Sequence, residues 1–367
     1  MGNYIDDFNK ILEKIGIFLL LALSSTLSLF CQNNQNKPLN LGLLIQDYSS
    51  TDARNGAELA VSLINEAGGI NGRPLNLIVK SMEGPWGTGS NQAVSLIFDE
   101  EVFAIIGSAD GRNCHLIEQA CTKTQVPFVS CLSSDPTLAQ AFIPWFFNCV
   151  PNDIQQSEVL VHDILIRNRY KKIALVSGND YDSRSILKFF KRKFEESVQE
   201  NQAELKIFEF TESNVPEVLK KVNASRPDCI VLFSRSKPGA AFLKEMKRMN
   251  LLMPVYGNLY LVGENSKHME EIQKTGIKLK ISFIDISGEK YKWFTEIYSK
   301  KYDVSPGISA GLAFDAVSIL ANAVSNAGTD RESIQNYLLK KNFEGITGNV
   351  VFDKHGNRMG PFNIIEF

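Results

Sequence analysis

In the stretch "GAELAVSLINEAGGINGRPLNLIV" (Gly56 to Val79), Leu59, Leu63 and Ala67 recur at i, i+4 and i+8, with Ala60 and Ile64 beside them. That spacing predicts a helix with a single apolar stripe, Glu58 and Asn65 facing away from it. Ser49, Ser50, Thr51 and Asp52 lie just upstream as N-cap residues. Gly68 and Gly69 supply the positive φ of a C-cap, and "NGRP" is a second turn signal. The apolar run from Leu75 to Val79 then reads as a short buried strand. An amphipathic helix feeding a buried strand is the repeating part of an α/β sheet.

The same alternation continues along the chain. "LNLGLLI" (39–45) precedes the unit as a strand. Apolar runs at 102–107, 126–131, 172–178, 206–210, 229–234 and 254–258 read as further strands, and 145–153 as an extended segment containing a proline. Helical spacing covers 90–98, 115–124, 155–168, 183–198, 215–222, 238–249 and 309–327, followed by a short helix from Arg331. The chain runs between them through "ISFID" and ends in a hairpin-like stretch, "GNVVFDKHGNRMGPFNIIEF". Strand and helix alternate in two series, which implies two parallel-sheet lobes with right-handed crossovers.

Composition adds exclusions. With 367 residues, 44% hydrophobic and 22% charged, the chain can build a sizeable core in about two domains. A formal net charge of −2 argues against nucleic acid as a partner. The basic run "KFFKRKF" (188–194) reads as a solvated helix face. The four histidines are far apart, and no Cys or His spacing fits a zinc site. We therefore expect neither metal nor cofactor.

Residues 15–30 form an uncharged, mainly apolar segment, short for a membrane span of roughly 20 residues and suited to a signal-peptide core. Cys31 and the polar "QNNQNKP" follow. A signal ending at a Cys before a polar linker looks like a bacterial lipoprotein signal, with Cys31 acylated. Phe30 and the acidic residues Asp6, Asp7 and Glu13 depart from that pattern, leaving an uncleaved anchor or ordinary cleavage nearby as alternatives. Five cysteines remain after Cys31, so at least one thiol is unpaired within the chain. Cys114 and Cys121 lie about 10 Å apart along a predicted helix, too far to pair.

In order and rough spacing, "RNGAELAVSLINEAGGINGRPLNLIV", "VFAIIGS", "VPFVSCLSSDPTL", "VPNDIQQ", "GLAFDAVSILANAV" and "FEGITGNVVFDKHGNRMGPFNI" resemble the type I periplasmic solute-binding proteins of ABC transporters, in particular the branched-chain amino-acid group. The resemblance covers about residues 39 to 367. It implies an α/β fold of two doubly wound parallel-sheet lobes joined by three hinge crossings. The crossings would fall near Asn148 to Asp153, between about Pro254 and Ser287, and near Gly345 to Gly348. The division it implies is 1–30 signal peptide, 31–38 polar tether, 39–150 with about 284–345 as lobe one, and 151–283 with about 346–367 as lobe two.

Ligands of open α/β sheets sit at the carboxyl ends of strands, against loops and helix N-termini whose N–H groups suit a carboxylate. The loops "GSADGRN" (107–113) and "CLSSDP" (131–136) stand there, and the resemblance assigns them the ligand's polar end. Ser133 and Ser134 either grip the ligand or cap the helix after Pro136. Ser108 and Asp110 belong to the first loop, where Arg112 either takes a carboxylate bidentately or pairs with Asp110. Tyr48 and Trp86 either wall the cleft or pack locally. "GNDYDSRS" matches the family's Asp-Tyr-Gly loop, with Tyr181 facing the ligand. In "YGNLYLVGE", Asn258 stands where amino-acid binders often keep an acid for the ammonium, with Tyr256 and Tyr260 flanking it and Glu264 further on.

"GTGSNQ" (87–92) lacks the third glycine of a dinucleotide loop, and no nucleophile elbow or P-loop is present, so we do not expect an enzyme. The resemblance implies a solute-binding lipoprotein that delivers a small carboxylate-bearing solute to an ABC transporter permease and reaches the membrane through its lipid. The alternative is a sensor or envelope interaction module on the same fold.

Overall fold

The computed structural model describes residues 37–367 apart from 50, 86, 108–110 and 141–143. The signal segment, Cys31 and most of the tether therefore lie outside the described residues, as do Trp86, Ser108 and Asp110.

Two main sheets organise the chain. The first has the order β2-β1-β3-β4-β5, all parallel: β1 (Leu39–Ile45), β2 (Leu75–Ser81), β3 (Ala104–Gly107), β4 (Phe128–Ser130) and β5 (Phe146–Asn148). The second contains β6 (Lys172–Ser177), β7 (Glu204–Glu209), β8 (Cys229–Phe233), β9 (Val255–Gly257) and β10 (Leu279–Phe283). A small ladder joins β11 (Phe343–Gly345) to β12 (Gly348–Val350), and the last strand, β13 (Asn363–Glu366), runs antiparallel to β10. The second sheet thus reads β13-β10-β9-β8-β6-β7. Central strands are apolar throughout because helices cover both faces. Leu41, Ile105, Ile106, Val231 and Leu232 are wholly buried, each contributing about 1.5–3 kcal/mol of transfer free energy.

The opening helix runs Thr51–Glu66 and packs along the long helix Ile308–Ala327. A Cβ on Gly56 would sit 2.0 Å from the carbonyl oxygen of Ala310, so only glycine permits this crossing. Helix Ile308–Ala327 is long and apolar enough to cross a membrane, yet it is mostly buried inside the fold and is read as a core helix. Three helices escaped the sequence reading: Tyr260–Gly263, Ser266–Thr275 and Glu289–Tyr302. Another helix starts at Gly111, four residues before the predicted 115. The segment predicted as a helix over 155–168 is α-helical at Asp153–Val161, then widens into a π-turn at His162–Arg167.

Buried Arg358 ties the hinge segments together. Its guanidinium donates to the carbonyl oxygens of Cys149 (3.0 Å), Thr347 (3.0 Å) and Asn349 (2.8 Å), and to Thr347 Oγ1 (3.0 Å). Asp315, buried on helix Ile308–Ala327, accepts the backbone N–H groups of Ile346 and Thr347. Residues that leave the first sheet after β5 are thereby fastened to residues that return near the C-terminus. Asn148 N–H completes the join by donating to Gly356 O (2.8 Å).

Candidate functional site

The carboxyl ends of both sheets face each other, and the helix Tyr181–Asn201 supplies most of what crosses between them. Asp180 caps this helix by accepting the Ser183 N–H at 3.0 Å. Its first turn then presents Tyr181 and Asp182 to the first lobe. Tyr181 Oη donates to Asp135 Oδ2 at 2.7 Å. Asp182 Oδ1 accepts the backbone N–H of Gly111, the first residue of helix Gly111–Thr124, at 3.0 Å, and Tyr260 Oη at 3.2 Å. Ser185 Oγ and Ser134 Oγ donate to the two oxygens of Asp153, both at 2.6 Å.

Arg235, two residues past β8, is the hub of the contact. Nη1 donates to Asp182 Oδ2 and Nη2 to Gln46 Oε1, each at 2.8 Å. The same guanidinium pairs with Glu264 and lies over the Tyr260 ring, 5.6 Å from its centroid. A second bridge joins the lobes where Ser266 N–H donates to Asp52 Oδ2 at 2.6 Å.

These environments set the charge states. Burial pushes the Asp153 carboxyl well up from its usual range, against the hydrogen bonds from Ser134 and Ser185. Burial also raises Glu264, with Arg235 opposing. Asp135 goes the other way: although burial works against ionisation, bonds from His115, Thr137 and Tyr181 bring it down to about 2. Its hydrogen bond to His115 in turn raises the imidazole pKa.

A cavity of about 310 Å³ lies beside Arg235, at the ends of β1, β3 and β4. Leu44, Ile45, Ala53, Leu132 and Pro238 give it an apolar wall, while Gln46, Asp47, Ser236, Lys237, Glu264 and His268 bring polar groups. Ser309, in the first turn of the long core helix, also lines it; its buried hydroxyl has no hydrogen-bond partner within the protein. A wider cleft, lined by Arg112, Tyr181, Asp182 and Lys188 among others, opens alongside. No cluster of three or more His, Cys, Asp or Glu suited to a metal occurs among the described residues.

The expected site residues divide. Tyr181, Ser134 and Tyr260 do converge, but on the protein's own carboxylates rather than on the cavity wall. Ser133 is buried in the same loop, its hydroxyl without a protein partner. Arg112 is exposed and borders the wider cleft. Asn258 is buried and accepts the Ser234 N–H at 3.2 Å, away from the cavity lining. Tyr48 is exposed. Cys114, Cys121, Cys131, Cys149 and Cys229 are all buried.

Gln46, Asp182, Arg235 and Ser309 were missed. Gln46 directly follows β1 and Arg235 lies two residues past β8, so the rule that ligands gather at strand carboxyl ends could have found them. Nothing local marked Asp182 or Ser309.

Two parallel-sheet lobes enclosing a small cavity at their strand ends define a ligand-binding protein. Residues 52–367 match the receptor family ligand binding region, and the chain belongs to that family. The architecture is the type I periplasmic binding protein fold. It is similar to the branched-chain amino acid transporter substrate binding protein LivJ of Streptococcus pneumoniae, solved with isoleucine (TM-score 0.77, 22% identity, 90% of this chain and 100% of that one). A leucine binding protein, LivK, of Thermotoga maritima gives 0.76 at 19% identity, covering 90% and 97%. An ABC transporter solute binding protein of R. palustris, solved with benzoate, gives 0.77 at 19%, covering 89% and 92%. The chain is also 22% identical over 263 residues to Glutamate receptor 2.2 of Arabidopsis thaliana, matching over 70% of its own length and spanning 28% of that protein.

Proposed function

We propose that this chain is an extracytoplasmic solute-binding lipoprotein. It captures a small carboxylate-bearing solute, an amino acid or a related organic acid, between two lobes and hands it to an ABC transporter permease. The lobes are taken as 39–150 with about 284–345, and 151–283 with about 346–367. The observation that carries the reading is the 310 Å³ cavity at the strand carboxyl ends, which combines an apolar wall with Arg235, Lys237 and the unpartnered Ser309 hydroxyl. A cation and hydroxyls suit the acid end, and the apolar wall suits a short tail. Glu264 in that lining supplies the negative charge that Asn258 lacks, so an ammonium group has a partner. The expected residues Ser133, Ser134, Tyr181 and Tyr260 then serve to bring the lobes together around the solute, with Arg112 at the wider cleft alongside.

Similarity in fold to proteins solved with isoleucine and with benzoate supports an acid as the ligand class. Thermal denaturation with isoleucine, leucine, benzoate and 4-hydroxybenzoate tests it. A solute at about 100 times its dissociation constant should stabilise the chain by roughly 2.7 kcal/mol; no shift with any of the four contradicts the reading.

The lipid anchor rests on the apolar segment 15–30, Cys31 and the polar tether. Mass spectrometry of membrane-extracted protein should find an acylated N-terminal Cys31. An unmodified N-terminus at another residue would remove the anchor. The similarity to a plant receptor supports the second reading, a sensor without a transporter. Permease and ATPase genes beside this one would favour transport.

A further inference from the structure

We infer that Asp182 is an interlobe latch, holding the two lobes together before any solute enters. This goes beyond the solute-binding reading, because the contact is complete within the chain itself.

The carboxylate belongs to one lobe and finds its partners in both. In the first lobe it takes the N–H of Gly111, at the start of a 14-residue helix. In the second it takes Tyr260 Oη and Arg235 Nη1. An ionised acid at a helix N-terminus is stabilised by the unsatisfied N–H groups and the helix dipole. Here the carboxylate is 3% exposed, so these bonds matter in offsetting its desolvation. Separating the lobes would strip away the Gly111 N–H.

The first lobe is shaped for this intrusion. A Cβ on Gly111 would lie 2.7 Å from Asp182 Oδ1 and 3.3 Å from a Tyr181 ring carbon. Glycine at the helix start is therefore what lets the opposing turn approach. Two further contacts between the lobes, Tyr181 with Asp135 and Ser134 with Asp153, flank the first. Arg235 then couples the latch to the cavity. The guanidinium that holds Asp182 also holds Gln46 and Glu264, which line the space beside it.

Hydrogen exchange on the full, solute-free chain tests this, comparing wild type with Asp182→Ala. Charge-assisted bonds of this kind correspond to about tenfold or more in an opening equilibrium. The amide of Gly111, and peptides around Gln46 and Ser134 in the first lobe, should exchange about tenfold faster in the variant. Strands of the second sheet should be unchanged. Faster exchange confined to the residues around position 182 itself would overturn the latch and reduce Asp182 to a local structural acid. Should Asp182→Ala fail to fold, Gly111→Ala gives the reciprocal test. Its added Cβ should speed exchange across 181–185 in the opposite lobe, and unchanged exchange there would overturn the proposal equally.

Discussion

Replacing Arg358 by methionine should cost roughly 3 kcal/mol or more in unfolding free energy, the largest loss expected from any single hinge side chain. The methionine fills the volume but donates nothing. The buried carbonyl oxygens of Cys149 and Thr347 would lose this donor, as would the part-buried one of Asn349. Each buried polar group left unsatisfied costs about 1–3 kcal/mol, and Asp315 would lose a neighbouring cation as well. Urea denaturation of the variant measures the loss directly. Arg358→Lys, which keeps a charge but not the fork of donors, should recover only part of it. A loss under about 1 kcal/mol in the methionine variant would mean that the crossings hold each other without this side chain.

Arg235→Ala should act nearly as strongly and in a different place. It leaves Asp182 and Glu264 facing each other, both largely buried and without their shared cation. Breaking a buried pair on one side commonly costs about 3–5 kcal/mol. Because Arg235 sits between lobes, the protein can relieve the charge by opening rather than by unfolding. Solute affinity should therefore fall by about 100-fold or more, while denaturant stability falls by less than the full penalty. Adding Glu264→Gln to Arg235→Ala should restore stability without restoring binding. Equal affinity for solute in wild type and Arg235→Ala would remove Arg235 from the site.

Much of the fold could be read from local pattern because each parallel strand is buried on both faces. "LNLGLLI", "VFAIIG" and "CIVLFS" are short apolar runs bounded by turns, and each became a strand. The opening helix announced itself through Leu59, Leu63 and its paired glycines. Helix Ser266–Thr275 did not, because it buries only Ile272 and Thr275 and, Met269 apart, is otherwise polar. The pairing of β13 with β10 joins residues some 80 positions apart, and no local period encodes it.

The site was legible to a lesser degree for the same reason. Loops at strand ends could be named from sequence, and Tyr181, Ser134 and Tyr260 do meet. What they meet could not be read, because Asp153 reaches Ser134, and Asp135 reaches Tyr181, from the opposite lobe. Ser134 read as either a ligand contact or a helix cap, and its hydroxyl is engaged with Asp153 at 2.6 Å. Asn258 drew attention as a missing acid, while Glu264, six residues on, carries the charge into the cavity lining.

Calorimetric titration of the wild-type chain with isoleucine, leucine, benzoate and 4-hydroxybenzoate bears most directly on solute capture between the lobes. Saturable binding of one molecule per chain by at least one of these acids is the expected result, with a negative heat-capacity change from burial of its apolar tail. Binding should weaken sharply in Arg235→Ala. Absence of heat with all four acids, or binding that Arg235→Ala leaves untouched, would contradict a carboxylate held in this cavity.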